Sequence, residues 1–519
     1  MLEQQPSSAR IALNRTTFGA RDVDVALVER EGWGAWVDTQ LSPPTGDDPA
    51  LASFLASQTL HYQYPAMTYG TQKWDAVDED RPLNYLKASV EKLWRLSRGP
   101  AEGYTFGDQV WPHIEQCSAI FIRNTHSRYQ LREFMTDFWL NHFSMNHQKS
   151  FTGNGLVAFE RDVVRPNVFG NFRQMIEGVT KSSAMMIYLD NADSTAALPN
   201  ENYARELMEL HTMGEGAYLG KVPLGPDSAA KGFTDFDVLQ AARALSGWTL
   251  EKGQIPFKES TGNFTYYPPQ HNNSAGVCLG TDLSTLTGDM AQGQKVLDLV
   301  AFHPATAGFI CTKICRRMFG DTPPANVVAR AATVFRQHQN SPDQIARVLR
   351  AILLEGPEIG IGPAVKYRRP YERIVALWRT TDTVVNANIY WSTILGDVND
   401  SPFVWPTPNG RPDVNSFWLN TFVNLTTWQY LQGIFGNLGL KTSLLPQMSE
   451  AAKQSAAATV EYWVGRMIGY DLAPDAIKAL IEFIDHQAFL QLPSGWKVDE
   501  TMLRDLVTTI ATAPEFTLR

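Results

Sequence analysis

Apolar residues recur at three-and-four spacing over most of the chain, the repeat of helices that bury a face. Segments near 8–19, 21–41, 83–98, 110–146, 158–181, 201–213, 235–248, 288–302, 304–319, 325–337, 342–355, 366–382, 414–436, 449–469, 474–487 and 500–513 are therefore expected to be helical. One stretch breaks the pattern. Between Thr249 and Gly280, alternating and aromatic residues such as FTYYPP, punctuated by Gly and Asn, predict a small hairpin or ordered loop. Pro and Gly gather at 42–49, 215–232, 252–280, 356–363 and 401–413, which predicts long connections there. The expected fold is mainly α: a large single helical body with a small β-hairpin or ordered-loop element near 250–280. Residues 1–440 are expected to form that body. An aromatic insertion lies at about 59–120, its first part (59–82) resembling a flap, and 441–519 form a C-terminal helical cap.

Composition narrows the function classes. Of 519 residues, 44% are hydrophobic and 19% charged, which excludes disorder and coiled coil as the main architecture. Lys and Arg number 45 against 54 Asp and Glu, and the net charge of -9 argues against nucleic acid as a partner. No apolar run is long enough to predict a membrane span. The opening MLEQQPSSAR has neither a basic nor an apolar leader region, so no secretory signal is expected in it. Four cysteines suit no disulfide scaffold, and Cys311 and Cys315, one helical turn apart, read as buried thiols. A GxSxG elbow, a P-loop, HExxH and a GxGxxG entering a helix are all missing from the sequence.

Two helices carry the candidate chemistry. On QLREFMTDFWLNHFSMN (130–146), a turn of about 100° per residue places Gln130, Glu133, Asp137 and Asn141 in one arc, with His142 among apolar residues opposite. LPNENYARELMELHTMG (198–214) repeats this: Asn202, Glu206 and Glu209 share an arc with Arg205 at its edge, and His211 centres the apolar side. Asn200 reads as its N-cap, Glu201 as an acidic first turn and Gly214 as a C-terminal cap. Carboxylates one turn apart repel unless cations lie nearby. Facing stripes across a cleft would let one carboxyl hold a proton while another stays ionised. The structural alternative is a salt-bridge lattice using Arg132, Arg205 and Arg243.

The imidazoles support a second reading. His142 and His211 could meet across the apolar layer, joined by His271 or His303, as a metal or haem site. No cofactor is predicted on the carboxylate reading, although metal or haem stays open. Two loops complete the candidates. YYPPQHNN (266–273) offers Tyr267 and His271, and PFVWPTPNGRPDVNSFW (402–418) offers Trp405, Arg411 and Asp413, aromatic and polar groups suited to sugar faces and hydroxyls.

ALNRTTFGAR, FWLNHFSM, MMIYLDN, PNENYARELMELHTMG, DVLQAARALSGWT, HPATAGFICTKICRRMF and VKYRRPYE, in this order from about residue 8 to 425, resemble the bacterial family of unknown function called DUF1800. The resemblance implies no established activity. Members are often exported to the periplasm or beyond, and are often encoded beside a sulfatase-like family, which the resemblance offers as a partner.

The leading expectation is an enzyme acting on a carbohydrate or other polyhydroxylated substrate by carboxylate acid/base chemistry, hydrolase-like, with Asp137, Glu206 and Glu209 as catalytic groups. Glu133, Asn141, Asn200, Glu201, Asn202, Arg205, Tyr267, His271, Trp405, Arg411 and Asp413 are expected to bind the substrate, a polysaccharide or small polyhydroxylated ligand. Amide replacement of Asp137 or Glu206 is expected to abolish turnover with little loss of stability. The alternatives are a metal or haem oxidoreductase on His142, His211, His271 and His303, and a non-catalytic envelope or partner-binding protein.

Overall fold

A computed structural model describes residues 5–149, 151–222, 227–253, 257, 259–435, 440, 442–491 and 496–519, with residues 487–491 described by their backbone alone. Parts of two expected connections, at 223–226 and 254–256, lie outside the described residues. The chain is mainly α, with a few short two-stranded antiparallel sheets. One continuous apolar cluster runs from Ala12 to Phe516 and reaches residues of the expected C-terminal cap, such as Trp463 and Leu506. Among the described residues, no helix is long and apolar enough to cross a membrane.

Several expected helices divide where the backbone turns. The 21–41 segment breaks at Gly32, whose φ of 90° lies where glycine is favoured, into Asp22–Glu31 and Trp33–Gln40. The 110–146 segment becomes Trp111–His126 and Gln130–His142, with Ser127 extended between them. Ends are set by local chemistry. Asp235–Leu245 begins with a capping box of Thr234 and Asp237. Pro304–Phe319 begins with Pro at its first turn, where Nδ1 of His303 accepts from Ala305 N at 3.1 Å.

The 59–82 stretch differs from its surroundings more than the sequence pattern indicated. Thr59–Tyr64 (β1) pairs antiparallel with Val77–Pro82 (β4), and Met67–Tyr69 (β2) with Gln72–Trp74 (β3), making a long exposed hairpin. Leu60 and Tyr62 turn inward with Leu83 and Trp111 as a satellite core, Tyr62 stacking on Trp111 at 3.7 Å. The expected β element is present as Trp248–Lys252 (β5) paired with Ser260–Tyr266 (β6), followed by the two-residue pair Val277–Cys278 (β7) and Thr281–Asp282 (β8). Cys311 and Cys315 are free, buried thiols.

Candidate active site

The Gln130–His142 helix is enclosed on nearly every side, so its acidic stripe is interior. Each carboxylate therefore needs cations. Arg165 Nη1 donates to Glu133 Oε2 at 2.7 Å, and Arg132 Nε to Oε1 at 3.1 Å. Burial alone pushes the Glu133 carboxyl up, but Arg165, Arg132 and Arg123 outweigh it and hold the group down at about 2. One turn later, Asp137 Oδ2 accepts from Arg317 and Arg369, each at 2.8 Å, and Oδ1 from Arg411 at 3.5 Å. Arg369 also reaches Asp400 Oδ1 at 3.0 Å, and Arg519 reaches Glu372 Oε1 at 3.2 Å. Burial opposes the Glu372 charge, yet Arg317, Arg519 and Arg369 hold that carboxyl well below its usual range.

Above this lattice opens a cavity of about 280 Å³. Asp137, Asn141 and His142 line it from one helix, Phe309, Lys313, Arg316 and Arg317 from the Pro304–Phe319 helix, Glu209 and Glu215 from another wall, and the 409–413 loop closes it. Asn141 holds that loop: its Nδ2 donates to Arg411 O at 3.0 Å and its Oδ1 accepts from Arg411 N at 2.8 Å. The approach is close enough that a Cβ on Gly410 (φ 76°) would meet Asn141 O at 2.2 Å. Asp413 accepts from Lys366 Nζ at 2.8 Å.

Glu209 reaches the cavity through an irregular helix. Asn200 Oδ1 accepts from Asn202 N at 2.8 Å to start an α-turn at Glu201–Glu206, which widens into a π-turn at Leu207–Thr212. Met213 N bonds to Met208 O, five residues back, at 2.9 Å. Such wide turns rotate side chains off the regular wheel and recur at functional sites. Gly214 has the expected positive φ (88°), although its ψ of 153° is extended rather than helical. Glu206, half-buried behind Glu209, has its carboxyl raised by burial and by the Glu209 charge, against a lowering by Arg205.

His142 Nε2 lies 3.0 Å from His211 O, which assigns the ring proton to Nε2 and leaves Nδ1 to accept from Lys313 Nζ at 2.9 Å. Burial, Lys313 and His211 together keep this imidazole neutral by lowering its pKa well below the usual value. Burial also brings the Lys313 ammonium down to about 8, helped by Arg316 and opposed by Asp413.

The structure thus brings Asp137, Glu209, Asn141, Arg411 and Asp413 together, with His142. It does not bring the rest of the expected site there. Glu133 faces a separate void of about 30 Å³, which Trp405 also lines, and is paired with Arg132 and Arg165. Asn200 is spent on capping; Glu201 and Asn202 are exposed, with Asn202 Nδ2 directed to Leu189 O. Arg205 pairs with Asp235 at 2.9 Å. Tyr267 packs against Phe257, and His271 Nδ1 lies 2.9 Å from Ser246 O. The imidazoles of His142 and His211 do meet, at 6.4 Å between centroids, whereas His303 Nε2 lies 2.8 Å from Ala229 O. Among the described residues, no three His, Cys, Asp or Glu side chains are grouped to hold a metal.

Sequence reasoning passed over Lys313, Arg316, Arg317, Arg369 and Glu215. For three of these a signal existed: Lys313, Arg316 and Arg317 stand at i, i+3 and i+4 in FICTKICRRMF, one face of the helix whose other positions include Cys311 and Cys315. The family model described as a protein of unknown function (DUF1800) matches residues 11–518, so the chain belongs to that family and the likeness extends through the C-terminal helices. Neither the curated proteins nor the solved structures gave a match.

Proposed function

We propose that the chain is an enzyme acting on a carbohydrate or other polyhydroxylated substrate by acid/base chemistry, hydrolase-like, in the cavity between the Gln130–His142 and Pro304–Phe319 helices. One observation carries this reading: the Glu209 carboxyl and the Lys313 amine line one cavity whose walls are dense in hydrogen-bonding groups. Glu209 is the carboxylate at the reacting bond. Glu206, whose carboxyl is raised by burial and by the Glu209 charge, stands behind it on the same helix. Asp137 is reassigned from catalytic group to anchor, because three guanidiniums occupy its oxygens and it fixes Arg317, Arg369 and Arg411 in place.

The test is turnover of a polysaccharide and oligosaccharide panel followed by release of reducing ends, with metal content measured on the same batch. Glu209→Gln should abolish turnover and leave the melting temperature within a few degrees; undiminished turnover in a folded variant rejects the assignment. The extent of the Glu133 and Asp137 lattices favours one second reading, a non-catalytic binding protein. On that reading the wild type binds a saccharide of the panel without altering it.

A further inference from the structure

Resting on the polyhydroxylated-substrate reading for the remainder of the ligand, we propose that the cavity takes an oxyanionic group of its substrate, a carboxylate or a sulfate or phosphate ester, on Lys313 and Arg316.

The argument is one of charge partners. Five cations line the cavity: Lys313, Arg316, Arg317, Arg369 and Arg411. Arg317, Arg369 and Arg411 are committed to Asp137, Glu372 and Asp400. Asp413 is committed to Lys366. Among the described residues, no carboxylate stands within ion-pair distance of Lys313 or Arg316. Lys313 has a neutral imidazole nitrogen as its hydrogen-bond acceptor. The Nε of Arg316 is buried with no hydrogen-bond partner among the described residues. Half-buried cations without a carboxylate partner are costly, and an oxyanion supplies the missing counter-charge.

Placement agrees with the charge. Lys313 and Arg316 are one turn apart on the same helix, so both can address one anionic group. The Phe309 ring lies 5.3 Å from Lys313 Nζ, and Leu210 and Pro412 add apolar surface for the body of a sugar. Glu209 and Glu215 complete the lining, so a ligand held by its anion on Lys313 presents its other bonds to the Glu209 carboxylate.

Calorimetric titration of the full chain tests this with glucuronate-containing oligosaccharides, sulfated and phosphorylated oligosaccharides, neutral oligosaccharides of equal length, and inorganic sulfate and phosphate. At least one acidic class should bind tenfold or more tighter than its neutral counterpart, with affinity falling as salt rises. Lys313→Gln and Arg316→Gln should each lose tenfold or more, while Lys313→Arg, which keeps the charge, should retain most of the binding; melting scans confirm that each variant is folded. Equal binding of acidic and neutral ligands, or wild-type affinity in both folded Gln variants, overturns the proposal. The two readings fail separately. Lys313-dependent binding of the inorganic ions without any saccharide binding upholds the anion site and rejects the saccharide. Turnover of neutral saccharides with no preference for acidic ones rejects the anion site and upholds the enzyme.

Discussion

Lys313 Nζ donates to His142 Nδ1 at 2.9 Å, and the same imidazole is fixed from behind by the carbonyl of His211. An amine whose acceptor is a neutral ring, in surroundings that bring its pKa down to about 8, sits close to its own titration at moderately alkaline pH.

This gives a prediction with a definite sign. The Lys313 pKa is lower folded than unfolded, so between about pH 8 and the unfolded value near 10.4 the unfolded chain binds the extra proton and stability rises with pH. The stability of wild type minus that of Lys313→Met, from denaturant titrations, should move in favour of wild type by about 1 kcal/mol or more across that window. A flat difference would place the ammonium in water.

Glu115 provides the opposite case. Tyr62 donates to its Oε1 and Tyr85 N to its Oε2, each at 2.7 Å, yet burial outweighs these bonds and raises the carboxyl to about 7. Because the folded pKa lies above the unfolded one, the folded state holds the extra proton. Stability should fall as pH rises from about 4.5 to about 7, by on the order of 3 kcal/mol from this group. Glu115→Gln, which mimics the protonated acid and donates to Tyr62, should remove that slope in urea melts taken at pH 4.5 and 7.5.

Asp137→Asn should be severely destabilising, by about 3–5 kcal/mol in chemical denaturation, because it strips a charge from a buried cluster of three guanidiniums. This replaces the expectation from the helical wheel that the amide would be tolerated. A loss below 1 kcal/mol would show that the lattice reorganises around the amide.

Gly410→Ala tests the loop over the cavity. The new methyl would meet Asn141 O at 2.2 Å, and φ of 76° is unfavourable for alanine, so the 409–413 segment must shift. The expected result is a modest drop in melting temperature with a several-fold loss of ligand affinity. Unchanged affinity would separate the loop from binding.

Much of the helical body was legible because its apolar repeat is regular, and the division points coincide with local features such as Gly32. The β1–β4 hairpin was harder to read. TLHYQY does alternate, with Leu60 and Tyr62 inward, but DAVDED carries charge on both faces of an exposed strand, and so no apolar period marks it. The acidic residues of the two helices stand out in the sequence as types, and Arg132 as a partner of Glu133, while Arg165, Arg317 and Arg369 do not. A wheel reports which residues share a face and not what lies opposite, so it could not distinguish Glu133, locked by Arg132 and Arg165, from Glu209, which opens on a cavity. Nor does a regular wheel describe Leu207–Thr212, where the extra residue in the turn changes the directions that follow.

Arg519 links positions far apart in the chain: its guanidinium reaches the carbonyls of Arg15 and Arg317 as well as Glu372, and its main chain pairs with that of Lys366. The arginine lattice beside the cavity is therefore tied both to the Pro304–Phe319 helix and to the segment that follows Pro514–Thr517. Loss of the Arg519 guanidinium would take one counter-charge from Glu372 and a donor from the carbonyls of Arg15 and Arg317, leaving an unfinished electrostatic keystone.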